Sequence, residues 1–455
     1  MSLPDDMKSF PIVGGGLFFG LASITAQERI NCYVETVQDA ENSGFSIYGI
    51  PGLELFVNTG GNPARALLGV GYALYVVLGT GVYSYNNAGI GTLLGNLNTT
   101  SGRCDIAYNG PQILVVDGTT AAILIDTDTG ITTLITLPAA CDTACYLDSY
   151  FIVGASGTQQ FFISGQYAGQ TWDVLDFASA ESNPDNLVRV FADHGQLMPF
   201  GEFTVEVWGN NGAQDFPFQR VATPTEWGLA AKWSVAKLDN AVAFLGRNRL
   251  GQVQVVMMSG YTVEKISTPD VDRIINYTNA YPDADAYSYM LNGHPMYVLN
   301  VSGRTLIFDL LTNMWSELQS GGSRHLAELS TSFLGRTIVS DYANGNLYNL
   351  SDDVFDDNGA VSTLSVTGRH LTKSRGLVFL RDMEIDMEHG TEHLAGVYPT
   401  IEIEISKDNG HTFGTTRSVP IGAVGEYATR TRISRLGQAR DFVFVCRSRP
   451  QFAAP

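Results

Sequence analysis

Residues 287–318 carry three or four short apolar or aromatic runs: Tyr287-Ser-Tyr-Met-Leu-Asn-Gly-His, Pro295-Met-Tyr-Val-Leu-Asn, Thr305-Leu-Ile-Phe-Asp and Met314-Trp-Ser-Glu-Leu. Asn-Gly, Ser-Gly and Thr-Asn pairs separate these runs, and each pair is a turn signal. The pattern predicts a small antiparallel meander. Since such a meander cannot bury both of its faces alone, it needs copies of itself.

The same order of strand, tight turn and strand recurs along most of the chain. One turn from each copy marks the repeat: Gly71, Gly110, Asp148, Gly201, Asn240, Gly293 and Gly335. Periods of roughly 40–50 residues, with about four strands in each, are typical of propeller blades. The sequence therefore predicts an all-β protein whose main domain is a β-propeller of six or seven blades. One or two large β-sandwiches are the alternative, and they would give strands without a blade-length period.

Changes in composition and in the pattern of apolar residues divide the chain into three parts. We expect an N-terminal arm over residues 1–45, the propeller over 46–357 and a β-sandwich-like domain over 358–455. In the arm, residues 29–35 alternate and are a candidate for the strand that closes the ring of blades. In the last part, Ile and Met alternate with Glu and Asp, which indicates sheets with one buried face and one wet face.

Composition and charge exclude several classes of protein. The 455 residues include 27 basic and 46 acidic ones, a net charge of −19. Because phosphate neutralisation dominates nucleic-acid affinity, this charge argues against tight DNA binding by the outer surface, although a conduit for DNA is compatible with it. No apolar run approaches the roughly 18–20 residues that span a membrane, so we expect no membrane insertion. Five scattered cysteines and an acidic N-terminus fit a protein made in a reducing cytosol.

Two motifs suggest metal or redox chemistry but lack its structural context. His389-Gly-Thr-Glu-His393 has the order of one group of zinc proteases, a chemistry that needs both histidines on one helical face. The motif follows an alternating strand, so we interpret it as a surface loop. Cys141 and Cys145 have the wrong spacing for a redox pair. The sequence therefore predicts no metal ligands and no cofactor.

Carboxylates near tryptophan are the only other hint of catalysis. Asp173 and Asp176 lie near Trp172, and Glu206 lies near Trp208. Glycoside hydrolysis needs a placed pair of carboxylates, and these residues would serve only if the fold brought partners together. With so many acids in the chain, neighbours of this kind are expected by chance. We predict no catalytic residues and no enzymatic activity.

Two further features are structural candidates. The stretch Ser406-Lys-Asp-Asn-Gly-His-Thr-Phe413 resembles an Asp-box turn, in which an aspartate closes a hairpin and a glycine supplies a positive φ. The expected turn residues are Ser406, Asp408, Gly410, Thr412 and Phe413. The one basic cluster comprises Arg430, Arg432, Arg435, Arg440, Arg447 and Arg449. It is either an ion-paired face of the last sheet or a subunit contact with acidic neighbours, and the sequence leaves both interpretations open.

The middle of the chain contains Gln160-Phe-Phe-Ile-Ser-Gly, Thr171-Trp-Asp-Val-Leu-Asp-Phe and Phe200-Gly-Glu-Phe-Thr-Val-Glu-Val-Trp208. Together with Asp215-Phe-Pro-Phe and Arg435-Leu-Gly-Gln-Ala-Arg-Asp441, these phrases resemble the packaged-DNA stabilisation proteins of short-tailed bacteriophages, which form the tail hub or nozzle. The likeness covers roughly residues 45–445. The chain departs from the family at residues 449–455, where a final strand is expected.

The resemblance implies a structural virion protein in the phage tail, assembled in the host cytoplasm. It implies a homo-oligomer, a hexameric ring below the portal and adaptor proteins. Such a ring would extend the DNA channel, hold the genomic DNA without sequence specificity until ejection, and dock tail fibres or spikes. Two alternatives stay open: a carbohydrate-active propeller, such as a tail depolymerase or a sialidase-like enzyme, and a host-receptor binding module.

Overall fold

The computed structural model describes residues 12, 27–36, 44–155, 157–180, 185–214, 216–373, 376–390 and 399–448. These residues form 42 strands, one α-helix (Pro269–Tyr277) and one 3-10 turn (Tyr281–Asp283). Thr268 caps the helix by accepting a hydrogen bond from the Val271 backbone N–H, and Pro269 occupies its first turn. The prediction of an all-β protein, with a propeller and a C-terminal sandwich, is confirmed.

Antiparallel meanders follow one another along the chain, and we number them as blades 1 to 7. Blades 1 and 2 consist of Ala64–Val70, Ala73–Leu78, Gly81–Tyr85 and Gly91–Asn96, and of Asp105–Tyr108, Gln112–Val116, Ala121–Asp126 and Thr132–Thr136. Blades 3 and 4 consist of Cys141–Leu147, Tyr150–Ala155, Gln160–Gly165 and Ala168–Ser179, and of Leu187–Asp193, Gln196–Gly201, Trp208–Asn210 and Phe218–Arg220.

The remaining blades vary the same plan. Blade 5 consists of Gly228–Leu229, Ala236–Leu238, Ala241–Arg247, Val253–Ser259 and Thr262–Lys265. Blade 6 consists of Asp285–Leu291, His294–Val301, Arg304–Asp309 and Met314–Ser320, with Ser323–Arg324 added. Blade 7 consists of Ala327–Phe333, Arg336–Asp341 and Asn346–Ser351, completed by Gly52–Asn58 and extended by Asp356–Asp357 and Ala360–Val361.

Seven apolar clusters alternate with the blades and close them into a ring. Each cluster draws buried side chains from two consecutive blades. Tyr75 and Ile113, for example, share the cluster between blades 1 and 2. The others join blades 2 and 3, 3 and 4, 4 and 5, 5 and 6, 6 and 7, and, through Phe333 and Leu74, blades 7 and 1. Seven blades therefore share seven cores, and the burial of each blade depends on both neighbours.

The first tight hairpin turn of each blade marks the repeat that the sequence predicts. These turns lie at residues 71–72, 109–111, 148–149, 194–195, 239–240, 292–293 and 334–335. At Asn292 and Gly293 both φ angles are positive, 47° and 87°, the backbone of a two-residue hairpin whose twist matches its strands. Gly201 is not the turn of blade 4: it ends the second strand, and His194 and Gly195 form the turn instead.

The strand that closes the ring is Gly52–Asn58, which we call the closing strand. It pairs antiparallel with Asn346–Ser351, so that blade 7 takes its outer strand from the beginning of the chain. The sequence predicted that residues 29–35 would close the ring. That prediction is wrong, because these residues are not part of blade 7. The physical reason is pairing: Arg29–Ile30 pairs with blade 6 and the sandwich, Asn31 interrupts the strand at a φ of 55°, and Cys32–Thr36 then pairs with Phe45–Gly49.

The C-terminal domain is a sandwich of two sheets. One contains Leu364–Thr367, Leu371–Thr372, Asp441–Ser448, Thr400–Ser406 and Arg417–Pro420, and the other contains Val378–Ile385 and Thr431–Ala439. Ile403, Phe442 and Leu436 lie in the shared core. The strand Thr431–Ala439 was not anticipated, because an irregularity at Arg435, with a φ of 62°, places the buried Ile433 and Leu436 three residues apart and breaks the apolar alternation. Residues 449–455, where the sequence departs from its expected family, lie outside the described residues.

Candidate functional site

Charged side chains fill the axis of the propeller. Arg103 precedes the first strand of blade 2 and Arg189 lies on the first strand of blade 4. Both guanidinium groups nevertheless stack on Trp233 of blade 5, at 5.4 and 4.8 Å from the ring centroid. Arg189 also forms an ion pair with Asp105 of blade 2, with 3.3 Å between Nη2 and Oδ2. Because blade 2 is not a neighbour of blade 4 or blade 5, the contacts of Arg103 and Asp105 cross the centre of the ring.

A second group of charges completes this axial cluster from the other side. Arg324 lies 3.7 Å from Asp285 of blade 6 and 3.6 Å from Glu328 of blade 7. Burial raises the pKa of Asp285 and Glu328, while the positive charge of Arg103 acts in the opposite direction on both. We use the term axial cluster for Arg103, Asp105, Arg189, Trp233, Asp285, Arg324 and Glu328. A bore occupied by these groups leaves no passage for a DNA duplex within one chain.

A joint connects the propeller to the sandwich. The short strand Arg29–Ile30 pairs parallel with the outer strand of blade 6 and antiparallel with Leu364–Thr367 of the sandwich. The buried Arg29 side chain donates to the Trp315 carbonyl (2.9 Å) and the Ser316 hydroxyl (3.2 Å). The Asn31 amide donates to the carbonyls of Gln319 and Thr363, one on each side. One continuous sheet therefore runs from blade 6 through the joint into the C-terminal domain.

A serine, a histidine and an aspartate meet near this joint, but not as a catalytic triad. The Ser320 hydroxyl donates to Asp357 Oδ2 at 2.6 Å, and His325 Nε2 lies 4.0 Å from Asp357 Oδ1. All three are buried, and the serine contacts the aspartate rather than the histidine. Burial lowers the pKa of His325 to about 4, with Arg324 adding to the effect, and burial raises the pKa of Asp357 to about 6.

The raised pKa of Asp357 makes stability depend on pH. Between about pH 4 and 6 the folded carboxyl holds a proton that the unfolded chain releases, so the contribution of Asp357 to the free energy of unfolding falls as pH rises through this window. Asp357→Asn should remove a fall of roughly 2 kcal/mol between pH 4.5 and 7, since this interval covers about 1.5 units of the pKa difference and each unit corresponds to about 1.4 kcal/mol. Urea unfolding of both proteins at pH 4.5 and 7 measures this difference. Equal pH dependence of the two proteins would contradict the assignment.

The residues that hinted at catalysis lie apart from any paired arrangement. Glu206 is buried and accepts a hydrogen bond from Trp208 Nε1 at 2.7 Å, while Arg220 lies 3.7 Å away. Asp173 is exposed and accepts a hydrogen bond from the Leu175 backbone. These carboxylates hold turns and side chains in place.

The metal and redox motifs of the sequence also form no paired arrangement among the described residues. His389 Nδ1 lies 3.0 Å from the Ile421 carbonyl, and His393 is outside the described residues. Cys141 and Cys145 lie on one strand with reduced thiols, and burial raises the pKa of Cys141 to about 12. The described part of the chain contains no group of three His, Cys, Asp or Glu side chains placed to hold a metal ion.

The Asp-box-like stretch forms a tight turn. Asp408 Oδ1 accepts hydrogen bonds from the Thr412 backbone (2.8 Å) and the Ser406 hydroxyl (2.7 Å), and Oδ2 accepts from the Thr412 hydroxyl (2.6 Å). Asn409 and Gly410 have positive φ angles. The hydrogen bonds from Thr412 and Ser406 hold the pKa of Asp408 well below its usual range. Phe413 extends from the turn, partly exposed.

The basic cluster is partly paired within the chain. Arg430 binds Glu384, Arg432 binds Asp382 and Arg447 binds Glu404. Arg435 and Arg440 are exposed and have no ion-pair partner among the residues that the structure describes. Three arginines are therefore paired within the sandwich, two at the sheet of Val378–Ile385 and Thr431–Ala439 and one on the other sheet, and two arginines are left for another contact. Arg449 lies outside the described residues.

Comparison with known proteins agrees with this architecture. The family model described as "Bacteriophage P22 Gp10, beta-propeller" matches residues 23–355, and the model described as "Bacteriophage P22 Gp10, beta-sandwich" matches residues 364–451. The chain belongs to the bacteriophage P22 Gp10 family. The two matched regions follow the propeller and the sandwich of the fold, and they confirm the resemblance found in the sequence. This Gp10-family chain is a structural protein of a phage tail.

Other comparisons add little. A search of curated proteins found no significant match for this Gp10-family chain. Among solved structures, a chain of the crystal structure of the mitotic checkpoint complex is similar at a TM-score of 0.47 and 11% sequence identity. The similarity covers 70% of this chain and 97% of that one. No helix in the described part of the molecule is long and apolar enough to cross a membrane.

Proposed function

We propose that this protein is a tail hub, a ring of copies that extends the DNA channel below the portal and adaptor proteins. In this role it retains packaged DNA without sequence specificity and docks tail fibres or spikes. The filled axis of the propeller is the observation that carries the proposal. Since the axial cluster occupies the bore, a conduit for DNA has to lie between copies of the chain, and six copies suit the family.

The charge of the protein supports the same role. A net charge of −19 would repel the phosphate backbone from the walls of a lumen and keep DNA from adhering during ejection. We propose that acidic lumen walls lower the friction of DNA passage. Ejection rates that stay unchanged when lumen acids are neutralised would contradict this part of the proposal.

We also propose that the chain is not an enzyme and that it assembles in the host cytoplasm and acts in the virion. The carboxylates suggested by the sequence are buried, like Glu206, or engaged in turns, like Asp173. A polysaccharide-cleaving propeller needs two carboxylates facing one accessible cleft. None of the described contacts favours that alternative.

A phage in which this gene carries a conditional stop codon tests the function. Particles grown without the protein should package DNA and then lose it, which DNase sensitivity of the particle preparation measures. Complementation with the wild-type chain should restore DNA retention. Particles that keep their DNA and fail only to attach would instead indicate a receptor-binding module. Particles that keep their DNA and lose only polysaccharide-cleaving activity would indicate an enzyme.

A further inference from the structure

The two domains of the chain differ sharply in charge. Residues 358–455 contain 12 basic and 10 acidic side chains, whereas residues 1–357 contain 15 basic and 36 acidic ones. The acidic charge of the protein therefore belongs to the arm and the propeller, and the sandwich is slightly basic. Opposite charges on two surfaces of one chain favour head-to-tail contacts between copies, the kind that generate rings.

The basic charge concentrates on one side of the sandwich. Among the described strands, Val378–Ile385 and Thr431–Ala439 pair only with each other, and their inward side chains, such as Met383 and Leu436, enter the core. The outward side, which we call the basic face, presents Phe379, Arg381 and Arg435, and Arg440 follows the strand Thr431–Ala439 directly. Asp382 and Glu384 on this side are paired with Arg432 and Arg430. Phe379 is 72% exposed, an unusual position for a large aromatic side chain.

The propeller carries a surface of complementary character on its outer strands. We use the term outer rim for Gly91–Asn96, Thr132–Thr136 and Ala168–Ser179, the last strands of blades 1, 2 and 3. The strands of blades 1 and 2 are in close contact, because a Cβ on Gly95 would lie 3.1 Å from Thr132. Leu134 and Leu175 on this rim are 65% and 77% exposed.

Blades 1 to 3, which carry the outer rim, contain mostly negative charges. Residues 64–179 contain eight acidic side chains and only two basic ones, Arg65 and Arg103. The Arg65 guanidinium is buried against the backbone carbonyls of Gly79 and Gly102, and Arg103 belongs to the axial cluster. Among the acids, Asp128 in the turn before Thr132–Thr136 and Asp173 on Ala168–Ser179 are exposed, and Asp173 accepts a hydrogen bond from the Leu175 backbone N–H. Asp105 and Asp142 are paired with Arg189 and Lys232, whereas Asp128 and Asp173 have no ion-pair partner among the residues that the structure describes. The rim therefore offers exposed apolar side chains together with these two negative charges.

We propose that the basic face of each copy docks on the outer rim of the next copy in the ring. This inference rests on the proposed function, because it supplies the contact that the tail hub needs. Phe379 would pack among the exposed leucines of the rim, and Arg435 and Arg440 would meet its aspartates. Each added copy leaves one basic face and one outer rim unoccupied at the two ends of the growing assembly. The ring closes when these two surfaces meet.

Charge reversal in two chains tests the contact. R435E/R440E and D128K/D173K should each self-associate at least tenfold more weakly than the wild-type full chain, as measured by sedimentation over a concentration series. Mixing the two variants should restore assembly, because the reversed face of one chain fits the reversed rim of the other. The alternating ring that results requires an even number of copies. R249E/R273E, which reverses two exposed arginines of the propeller away from the rim, is the matched control and should assemble as the wild type does.

Several outcomes would overturn the inference. The wild-type chain could stay monomeric at all concentrations, or R435E/R440E could self-associate as strongly as the wild type. The mixture of R435E/R440E and D128K/D173K could also fail to assemble. Unchanged self-association together with lost binding of a tail fibre would assign the basic face to the fibre. The phage assay for DNA retention is independent of these measurements, so that the hub function can stand when this contact fails. Thermal unfolding of each variant should match that of the wild type, which shows that a loss of assembly is not a loss of folding. The variant F379A should also weaken assembly, and it does so without changing any charge.

Discussion

Replacing Arg189 with methionine should lower the free energy of unfolding by about 3–5 kcal/mol, the usual cost of removing one partner from a buried ion pair. The substitution leaves Asp105 buried without its cation and removes the stacking contact with Trp233. Arg381→Met is the matched control, because the Arg381 side chain is 86% exposed on the sandwich and its ion pair with Asp382 is at the surface. It should change stability by less than about 0.5 kcal/mol. Chemical denaturation followed by tryptophan fluorescence measures both.

This experiment examines whether the axial cluster holds the blades together. A small effect of Arg189→Met, similar to that of the control, would mean that the axis is wet and that its charges are solvated. It would also weaken the argument that DNA needs a channel between copies. Arg189→Lys keeps the charge and loses the planar stacking, and we expect it to fall between the two.

Replacing Leu53 with alanine should cost about 2–5 kcal/mol, the range found for buried leucines. Leu53 lies on the closing strand, is 1% exposed and packs in the cluster between blades 6 and 7. Leu55 on the same strand is 46% exposed, so that Leu55→Ala provides a control with identical chemistry. It should cost less than about 0.5 kcal/mol. Equal effects of the two substitutions would contradict the assignment of Gly52–Asn58 as the strand that closes the ring.

The repeat of the propeller could be predicted because its cause is local. Each blade begins with a hairpin whose turn requires positive φ angles, and Asn-Gly or Asp-containing pairs supply them at the lowest cost. Six of the seven turns were therefore found at their places. The seventh was misplaced because Gly201 is a strand glycine, whereas His194 and Gly195 make the turn.

The closing strand could not be predicted because its partner is almost 300 residues away. Residues 29–35 and 52–58 both alternate, and only pairing with Asn346–Ser351 decides between them. The joint was missed for the same reason: nothing local indicates that Arg29 is buried between two domains. Arg29 joins the two domains through its hydrogen bond to the Trp315 carbonyl and through the pairing of its strand with Leu364–Thr367.

The axial cluster was missed because its members come from five blades. The sequence contained one signal, which is that Arg103 is the only basic residue between residues 66 and 188. A single arginine among apolar strands often has a buried partner, since an unpaired buried charge is costly. The sequence does not show which residue is the partner of Arg103. Only the closed ring of blades brings Arg103 and Arg189 together at Trp233. The two interpretations of the basic cluster likewise needed the structure, which pairs Arg430 and Arg432 and leaves Arg435 and Arg440 exposed.

A three-dimensional reconstruction of the phage tail tests the central claim most directly. We expect a closed ring of copies of this chain around the axis of the tail, with DNA density between the copies and none along the axis of any propeller. The basic face of each copy should lie on the outer rim of its neighbour. DNA density passing through a propeller, or a single copy at the periphery of the tail, would contradict the account.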